Sequence, residues 1–331
     1  MPTMLTDVFR GHPIHLPHFH QPDFTSLSEL PDSYTWTPKD DPLLDAAPSP
    51  PAASENIPLI DLNHPDAANQ IGSACRTWGA FQIANHGVPL ELLQGIEFLT
   101  GSLFQLPVHR KLKAARSETG FSGYGVARIS SFFNKQIDIV EEYEEQMQKL
   151  ASKLMWLSLT SLGVSEEDIK WASANSDSDW AQSALQLNHY PVCPEPDRAM
   201  GLAAHTDSTL LTILHQNNTA GLQVFRDDLG WVTVPPVPDS LVVNVGDLFH
   251  ILSNGLFKSV LHRARVNQTR SRLSVAFLWG PQSDIKISPV PKLVSPVGSP
   301  LYRSVTWTEY LRTKATHFNE ALSMIRNHID E

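Results

Sequence analysis

Short runs in which apolar residues alternate with polar ones dominate the second half of the chain. Each run has the length of a β-strand, and turn signals such as Gly246-Asp247 and Asn254-Gly255 separate the runs. They are LQLNHY from Leu185, LLTILHQ from Leu210, LQVF from Leu222, WVTVP from Trp231, LVVNV from Leu241, KSVLHRARV from Lys258 and RLSVAFLWG from Arg272. Many short strands in succession are typical of a sandwich, a barrel or a jelly roll.

The first half of the chain mixes strand and helix patterns. Ile57–Leu62 alternates like a short strand, and Ala67–Trp78 has helical periodicity. Gly79–Ala84 predicts a second strand. Leu90–Ala115 is again mostly helical, with a break near Leu106-Pro107 because proline cannot continue a helix. This half therefore predicts helices that alternate with short strands.

The clearest helix pattern runs over Asp138–Leu162. Apolar residues recur there at alternating spacings of three and four, which places them on one face. They are Val140, Tyr143, Met147, Leu150, Leu154 and Leu157. Asp138 with Glu141 favours an N-terminal cap, and Gly163 favours a C-terminal stop. The opposite face is polar, so we expect a helix that backs a sheet rather than a coiled coil.

The two ends of the chain complete the predicted division. Pro, Ser and Asp are abundant in the first 56 residues, which predicts an irregular arm, and Trp307–Ile329 predicts a final helix. The predicted regions are an arm over 1–56, an N-terminal region over 57–136, a backing helix and connection over 137–184, a β core over 185–285 and a C-terminal segment with its helix over 286–331. The fold class is therefore mixed α+β, with helices around a C-terminal β core.

Composition and charge narrow the possible partners. Hydrophobic residues make up 41% of the 331 positions, which suits a globular protein with a sizeable core. The formal net charge of −10 argues against a nucleic-acid surface and against binding to an anionic membrane. The N-terminus has no signal-peptide hydrophobic region, and Cys75 and Cys193 are too few for a disulfide framework. We expect a soluble, cytoplasmic protein that binds neither nucleic acid nor membrane.

His205, Asp207 and His262 form a candidate metal site. His205 and Asp207 are two residues apart, so in an extended segment both side chains point to the same side. His262 lies in the predicted strand KSVLHRARV, which a jelly roll can bring opposite that pair. Two imidazoles and one carboxylate leave open positions on an octahedral metal, as an Fe(II) oxygenase needs for activating O₂. The alternatives are a simple turn with a partly buried histidine, or zinc with a bound water.

Arg272 and Ser274 form a candidate anion site. They are two apart on RLSVAFLWG, a run that is otherwise apolar. A buried arginine is costly unless an anion pairs with it, and its guanidinium matches a carboxylate in a two-bond fork. A 2-oxo diacid that chelates the metal at one end fits this site with its distal carboxylate. Asn188 and Tyr190 share a face of LQLNHY and can hydrogen-bond the same cosubstrate, whereas the alternative for Arg272 is an internal salt bridge.

Other residues that could carry chemistry are predicted to be structural. His86 follows the second strand in a turn, and His215 and His250 lie in or beside predicted strands, where a hydrogen-bonded structural role is usual. Gly123-Tyr124-Gly125 lacks the third glycine of a dinucleotide-binding loop.

Long segments of the chain carry a family resemblance. NHYPVCPEPDRAMGLAAHTDSTLLTIL, GLQVFRDDLGWVTVPPVPDSLVVNVGDLFHILSNGLFKSVLHRARVN and RLSVAF resemble the plant 2-oxoglutarate-dependent dioxygenases. IPLIDL and WGAFQIANHGVP resemble the N-terminal region of that family. HTDSTLLTILHQNNTAGLQVF, LWGPQSDIKISPVPKLV and LPDSYTWTPKDDPLL are similar to the gibberellin 3-beta-dioxygenases among them. The resemblance covers nearly the whole chain.

The resemblance implies a fold, a set of cofactors and a reaction. The fold would be a distorted double-stranded β-helix, or jelly roll, with surrounding helices. The three metal residues would bind Fe(II), and Arg272 with Ser274 would bind the C5 carboxylate of 2-oxoglutarate, assisted by Tyr190. With O₂ as oxidant and ascorbate in the assay, such an enzyme hydroxylates C3 of an inactive gibberellin precursor. Arg128 is a candidate partner for the carboxylate of that substrate.

One departure from the family follows Gln136. Family members continue there through a further segment, whereas Gln136 runs directly into Ile137 and the long helix in this chain. The difference predicts that a strand of the core and part of the substrate pocket wall are absent. Two alternatives to the leading function follow: an impaired or non-catalytic relative that only binds its ligands, or the same oxidation on another gibberellin carbon or a flavonoid-like molecule.

Overall fold

The structure is a computed structural model that describes residues 28–30, 32, 35, 56–111, 137–172, 180–296 and 298–327. Most of the predicted arm lies outside these residues. The same holds for Gly123-Tyr124-Gly125, for Arg128 and for Gln136. The division into five regions stays a prediction.

Twelve strands and six α-helices are defined in the described ranges. The strands are β1 (Leu59–Asp61), β2 (Ala80–Ala84), β3 (Ala181–Tyr190), β4 (Met200–His205), β5 (Leu211–Gln216), β6 (Leu222–Arg226), β7 (Gly230–Thr233), β8 (Leu241–Val245), β9 (His262–Arg265), β10 (Arg272–Pro281), β11 (Lys286–Ile287) and β12 (Val305–Thr306). The helices are α1 (Ala67–Thr77), α2 (Leu90–Gln105), α3 (Val108–Lys111), α4 (Ile137–Thr160), α5 (Asp247–Leu252) and α6 (Trp307–His317).

Two facing sheets form the centre of the fold. The larger has the order β1-β2-β8-β5-β10-β3, and the smaller has the order β4-β9-β6-β7. All their pairings are antiparallel except that of β1 with β2. Leu214 and Val242 of the larger sheet share a buried apolar cluster with Leu222 and Val224 of the smaller one. The predicted jelly-roll core within a mixed α+β fold is confirmed.

Strand β10 shows how the alternating pattern divides the two faces of the larger sheet. Val275 and Phe277 are fully buried in the cluster that includes the helices. Arg272 and Ser274 point to the opposite face, since successive side chains of a strand alternate. The inner face of β10 is therefore the one that carries polar side chains, and it faces the smaller sheet.

Helix α4 backs the larger sheet, as its apolar stripe predicts. Tyr143, Met147 and Leu154 are fully buried in the same cluster as the strands β5 and β10. The helix ends at Thr160, and Gly163 follows with φ +72°, a left-handed conformation that glycine adopts without strain. The predicted backing helix and its glycine stop are confirmed.

Three local predictions were wrong. The final helix ends at His317 rather than near Ile329, because Phe318 has φ +48° and short 3₁₀ turns follow. Asp247–Leu252 forms a helix where the sequence indicated only a turn at Gly246-Asp247. The strand Met200–His205 was missed, since its pairing contains irregularities that break the alternation.

In the described ranges, no helix is both long and apolar enough to cross a membrane.

Candidate metal and cosubstrate site

The three predicted metal residues come together at one end of the smaller sheet. His205 is the last residue of β4 and His262 the first of β9, and the two stand directly opposite each other in the register. Asp207 follows β4 by two residues. One ligand atom from each residue lies within 4.8 Å of the other two, and Oδ1 of Asp207 is 3.6 Å and 3.8 Å from Nε2 of His205 and His262. Strand pairing thus assembles residues that are far apart in the chain.

Backbone carbonyls fix which nitrogen of each imidazole faces Asp207. Nδ1 of His205 lies 2.8 Å from the carbonyl oxygen of Ala203, and Nδ1 of His262 lies 3.1 Å from that of Val260. A carbonyl can only accept, so each Nδ1 carries the proton and donates it. Each Nε2 is then the ring nitrogen that faces Asp207. A metal-ligating histidine is commonly oriented by such a bond.

Asp207 has a buried oxygen that the protein leaves without a partner. The residue is 8% exposed, and its Oδ2 has no hydrogen-bond donor among the described residues. Burial raises the pKa of this carboxyl, but the nearby imidazoles of His262 and His205 outweigh it and hold the pKa below its usual value. A buried, ionised carboxylate beside two imidazoles, with one oxygen that no described donor contacts, is a donor set that fits Fe(II).

The predicted anion site lies on the inner face of β10. Arg272 stands opposite Tyr190 of β3 in the register, and its guanidinium carbon is 5.2 Å from the centre of the Tyr190 ring. Its Nη2 donates to Oε1 of Gln216 at 2.8 Å, while its buried Nε has no acceptor in the described part of the chain. The arginine is 2% exposed, and burial lowers its pKa. None of the described carboxylates forms the alternative internal salt bridge with it.

Ser274 and Asn188 complete the polar row beside the arginine. They pair directly across β10 and β3, and Nδ2 of Asn188 donates to Oγ of Ser274 at 3.4 Å. Gln186 donates in turn to Oδ1 of Asn188 at 3.0 Å. The four predicted cosubstrate residues therefore lie together, and Gln216 and Gln186 join them as polar neighbours that the sequence did not single out.

One glycine within strand β4 and one directly before strand β6 leave space for the predicted anion site, called the clamp below (Arg272, Ser274, Tyr190 and Asn188). A Cβ at Gly201 would lie 2.7 Å from Cδ1 of Tyr190, and a Cβ at Gly221 would lie 2.8 Å from Cδ of Arg272. Both distances are too short for a real side chain. The side chains of Tyr190 and Arg272 therefore cross from the larger sheet to the smaller one, which also carries His205. The anion site and the metal site open onto the same space between the sheets. The sequence contained a signal for Gly221, a glycine directly before a strand, but no reason to connect it with the arginine.

The three histidines predicted to be structural all form polar contacts within the protein. His86 accepts from the backbone N–H of Val88 at 3.1 Å and so anchors its turn. Nε2 of His215 lies 3.2 Å from Oε2 of Glu97 on the outer face of the larger sheet. His250 lies 2.8 Å from the hydroxyl of Tyr302 through Nε2.

Comparison with known proteins agrees with this geometry. Residues 181–281 match the model of the 2OG-Fe(II) oxygenase superfamily, and residues 57–180 match that of the N-terminal region of non-haem dioxygenases in morphine synthesis. The chain is 81% identical to gibberellin 3-beta-dioxygenase 1 of Arabidopsis thaliana, with full coverage of both chains. It is 54% identical to gibberellin 3-beta-dioxygenase 1 of Pisum sativum, covering 97% of this chain and 93% of the relative.

Solved structures share the fold. A crystal structure of JOX2 in complex with 2OG, Fe and JA aligns with a TM-score of 0.78 and 33% identity, covering 92% of this chain and 95% of that one. A crystal structure of the dioxygenase for auxin oxidation in rice aligns with a TM-score of 0.70 and 27% identity, covering 82% and 100%.

The alignment with the Arabidopsis relative also shows a difference in length. It runs over 358 positions, whereas this chain has 331 residues, so 27 positions of the relative have no counterpart here. This agrees with the shortening that the sequence indicates after Gln136.

Proposed function

The chain belongs to the gibberellin 3-beta-dioxygenases of the 2OG-Fe(II) oxygenase superfamily, and from this we propose that it hydroxylates gibberellin precursors at C3 on the β face. The family uses Fe(II), 2-oxoglutarate and O₂. The observation that supports the proposal most strongly is the buried oxygen of Asp207, which has no hydrogen-bond partner among the described residues and lies beside the imidazoles of His205 and His262. A bound cation is a partner that fits this oxygen.

In this proposal His205, Asp207 and His262 hold the iron, which when bound supplies the activation of O₂ for oxidising a C–H bond. The protein orients these ligands before that chemistry begins. The carbonyl oxygens of Ala203 and Val260 accept from Nδ1 of the two imidazoles, so each ring presents Nε2 to the metal. The zinc alternative uses the same donors, and the adjoining anion clamp favours iron with a 2-oxo acid over zinc with water.

The clamp binds the distal carboxylate of 2-oxoglutarate. Arg272 has a buried Nε without a partner, which can donate to the carboxylate, and Tyr190 lies against the guanidinium plane. Ser274 offers its hydroxyl on the same face. Because burial excludes water, these charge-assisted bonds are stronger than at a surface and fix the end of the cosubstrate.

Half-buried apolar side chains lie beyond the clamp on the same inner face. Ala276 and Leu278 of β10 are half-buried, whereas their outward neighbours Val275 and Phe277 are fully buried. Apolar side chains that lie between two sheets and still contact solvent can pack against an apolar ligand. We assign this apolar surface to the ring system of the gibberellin.

A direct assay tests the proposal. The purified full chain is incubated with Fe(II), 2-oxoglutarate, ascorbate and a gibberellin precursor, and mass spectrometry follows the product and succinate. We expect a 3-beta-hydroxylated product from the wild type and none from Asp207→Ala. Wild-type product from Asp207→Ala would contradict the assigned metal site. A panel with flavonoids and with precursors hydroxylated at other carbons decides whether the substrate class is correct.

A second candidate function follows from the 27 missing positions. A chain that lacks part of the substrate pocket would bind Fe(II) and 2-oxoglutarate without turning over gibberellin. Binding of the cosubstrate without gibberellin-dependent formation of succinate would favour this candidate, and formation of succinate that depends on gibberellin would eliminate it.

The cytoplasmic location and the absence of nucleic-acid and membrane partners stay predictions. Two free, buried cysteines agree with a reducing compartment. Microscopy of a fluorescent fusion in plant cells tests the location.

A further inference from the structure

A buried carboxylate beside the metal site connects both segments that carry the metal ligands. Asp247 is 0% exposed, and its backbone N–H donates to the carbonyl oxygen of Asp207 at 2.7 Å. Its Oδ2 accepts from the hydroxyl of Thr206, the residue between two of the ligands, at 3.1 Å. Its Oδ1 accepts from Ser259 at 2.6 Å, three residues before His262. One side chain thus bonds to the loop of His205 and Asp207 and to the segment that leads into the third ligand.

Helix α6 supplies a positively charged partner for this carboxylate. Lys314 is 4% exposed and forms a buried ion pair with Oδ2 of Asp247. Its Nζ also donates to Oγ1 of Thr206 at 2.5 Å. The hydroxyl of Tyr310, one turn earlier on the helix, donates to the same Oδ2 at 2.8 Å. Two residues of α6 therefore contact the carboxylate, and one of them also contacts the ligand loop.

Further bonds hold both ends of that loop against the C-terminal segment. Nε1 of Trp307, at the start of α6, donates to Oγ of Ser208 at 3.3 Å. Nδ2 of Asn319, just after the helix, donates to the carbonyl oxygen of Ala204 at 3.3 Å. The loop from Ala204 to Ser208 is thus bonded to the C-terminal segment at its first, third and last residues. The sheet pairing of β4 ends at His205. The bonds to the C-terminal segment therefore fix the conformation of the residues that follow.

We infer that Asp247 and Lys314 are positioning residues, which set the spacing of the metal ligands by joining both ligand-bearing segments to helix α6. The inference rests on the proposed metal site and goes beyond it, because neither residue is itself among the ligands. Partners of this kind around a metal site typically change its affinity by about 10- to 100-fold when they are removed.

A purely structural ion pair would behave differently from a positioning pair. Removing one charge of a buried pair destabilises a protein in either case, since it leaves the other charge uncompensated. Replacing both charges by neutral side chains often restores stability. The metal affinity separates the two roles, because only a positioning pair changes it in protein that is fully folded.

The experiment measures binding of Mn(II), a redox-stable probe for Fe(II), to the metal-free full chain. Electron paramagnetic resonance reports free Mn(II), and circular dichroism defines a temperature at which each variant is folded. The variants are Lys314→Met, Thr206→Val, which keeps the ion pair and removes the hydroxyl, and the double variant Asp247→Asn with Lys314→Met. The matched control is Arg303→Ala, which breaks the exposed pair with Glu309 at the start of the same helix.

We expect the Kd for Mn(II) to rise about 10- to 100-fold in all three variants and to stay within about two-fold of wild type in the control. The double variant is expected to recover the unfolding midpoint without recovering the affinity. Variants that lose stability but bind Mn(II) like the wild type would overturn the inference and leave the metal site in place. A wild type that binds no Mn(II) would overturn the metal site and the inference together.

Discussion

Replacing Arg272 by lysine tests the cosubstrate clamp at its centre. In the structure the N–H donors of the guanidinium have two different roles. Nη2 donates to Oε1 of Gln216 at 2.8 Å, which orients the plane, while the buried Nε is left for an external acceptor. A lysine keeps the positive charge but has a compact ammonium that cannot reproduce this fixed fork. We therefore expect Arg272→Lys to keep the positive charge and to lose the two-bond contact with the carboxylate.

The size of the effect follows from the bonds that are lost. A hydrogen bond to a charged group contributes about 1.5–3 kcal/mol. If Arg272→Lys forfeits one such bond to the distal carboxylate, the Kd for 2-oxoglutarate rises about 10- to 150-fold, since each 1.4 kcal/mol is a factor of ten. The affinity for the metal should not change, because the metal ligands stand on other strands.

Calorimetry of 2-oxoglutarate binding to the Mn(II)-loaded enzyme measures this Kd. Arg263→Lys is the matched control, because Arg263 is also fully buried but donates to Gln223 and lies 4.1 Å from the centre of the Trp231 ring. A Kd in Arg272→Lys within about two-fold of wild type would refute the assigned clamp. An equal loss in the control would show that any buried Arg→Lys change disturbs the site through the fold.

Three further predictions follow from other parts of the structure. Gly201→Ala places a Cβ 2.7 Å from the Tyr190 ring, so we expect a higher KM for 2-oxoglutarate and a stability loss of about 1–3 kcal/mol, measured by steady-state kinetics and urea unfolding. Thr306→Ala removes the oxygen that accepts from the N–H of Glu309 and should cost about 0.5–2 kcal/mol in the same unfolding assay, whereas Thr306→Ser should not. Burial lowers the pKa of His250, so the unfolded chain binds more protons and the free energy of unfolding should fall as the pH drops below about 6.5. His250→Gln should flatten that dependence, and an unchanged slope would contradict it.

Local patterns were sufficient to predict which side of strand β10 and of helix α4 is buried. The alternation in RLSVAFLWG separated Arg272 and Ser274 from Val275, and the structure has these residues on opposite faces of β10. The stripe in α4 predicted its packing against the sheet for the same reason, since helical periodicity alone selects the buried side.

The same patterns failed where the structure depends on contacts that are distant in the chain. The sequence indicated only a turn where helix α5 lies. Its first residue, Asp247, is a buried carboxylate, and one of its partners is Lys314, which is distant in the chain. Gln216 was not singled out, because only the pairing of β5 with β10 brings it to the guanidinium.

The sequence by itself determined the chemical groups of the site and, for β10, the side of the strand on which Arg272 and Ser274 stand. It supplied two imidazoles, a carboxylate and an arginine within largely apolar strand patterns, where a buried polar group needs a partner. The tertiary structure alone decided that His205 faces His262, that Arg272 meets Gly221 and that Lys314 reaches the ligand loop. The physical reason is that strand alternation is a local property, whereas register and helix docking depend on contacts between segments that the chain itself keeps far apart.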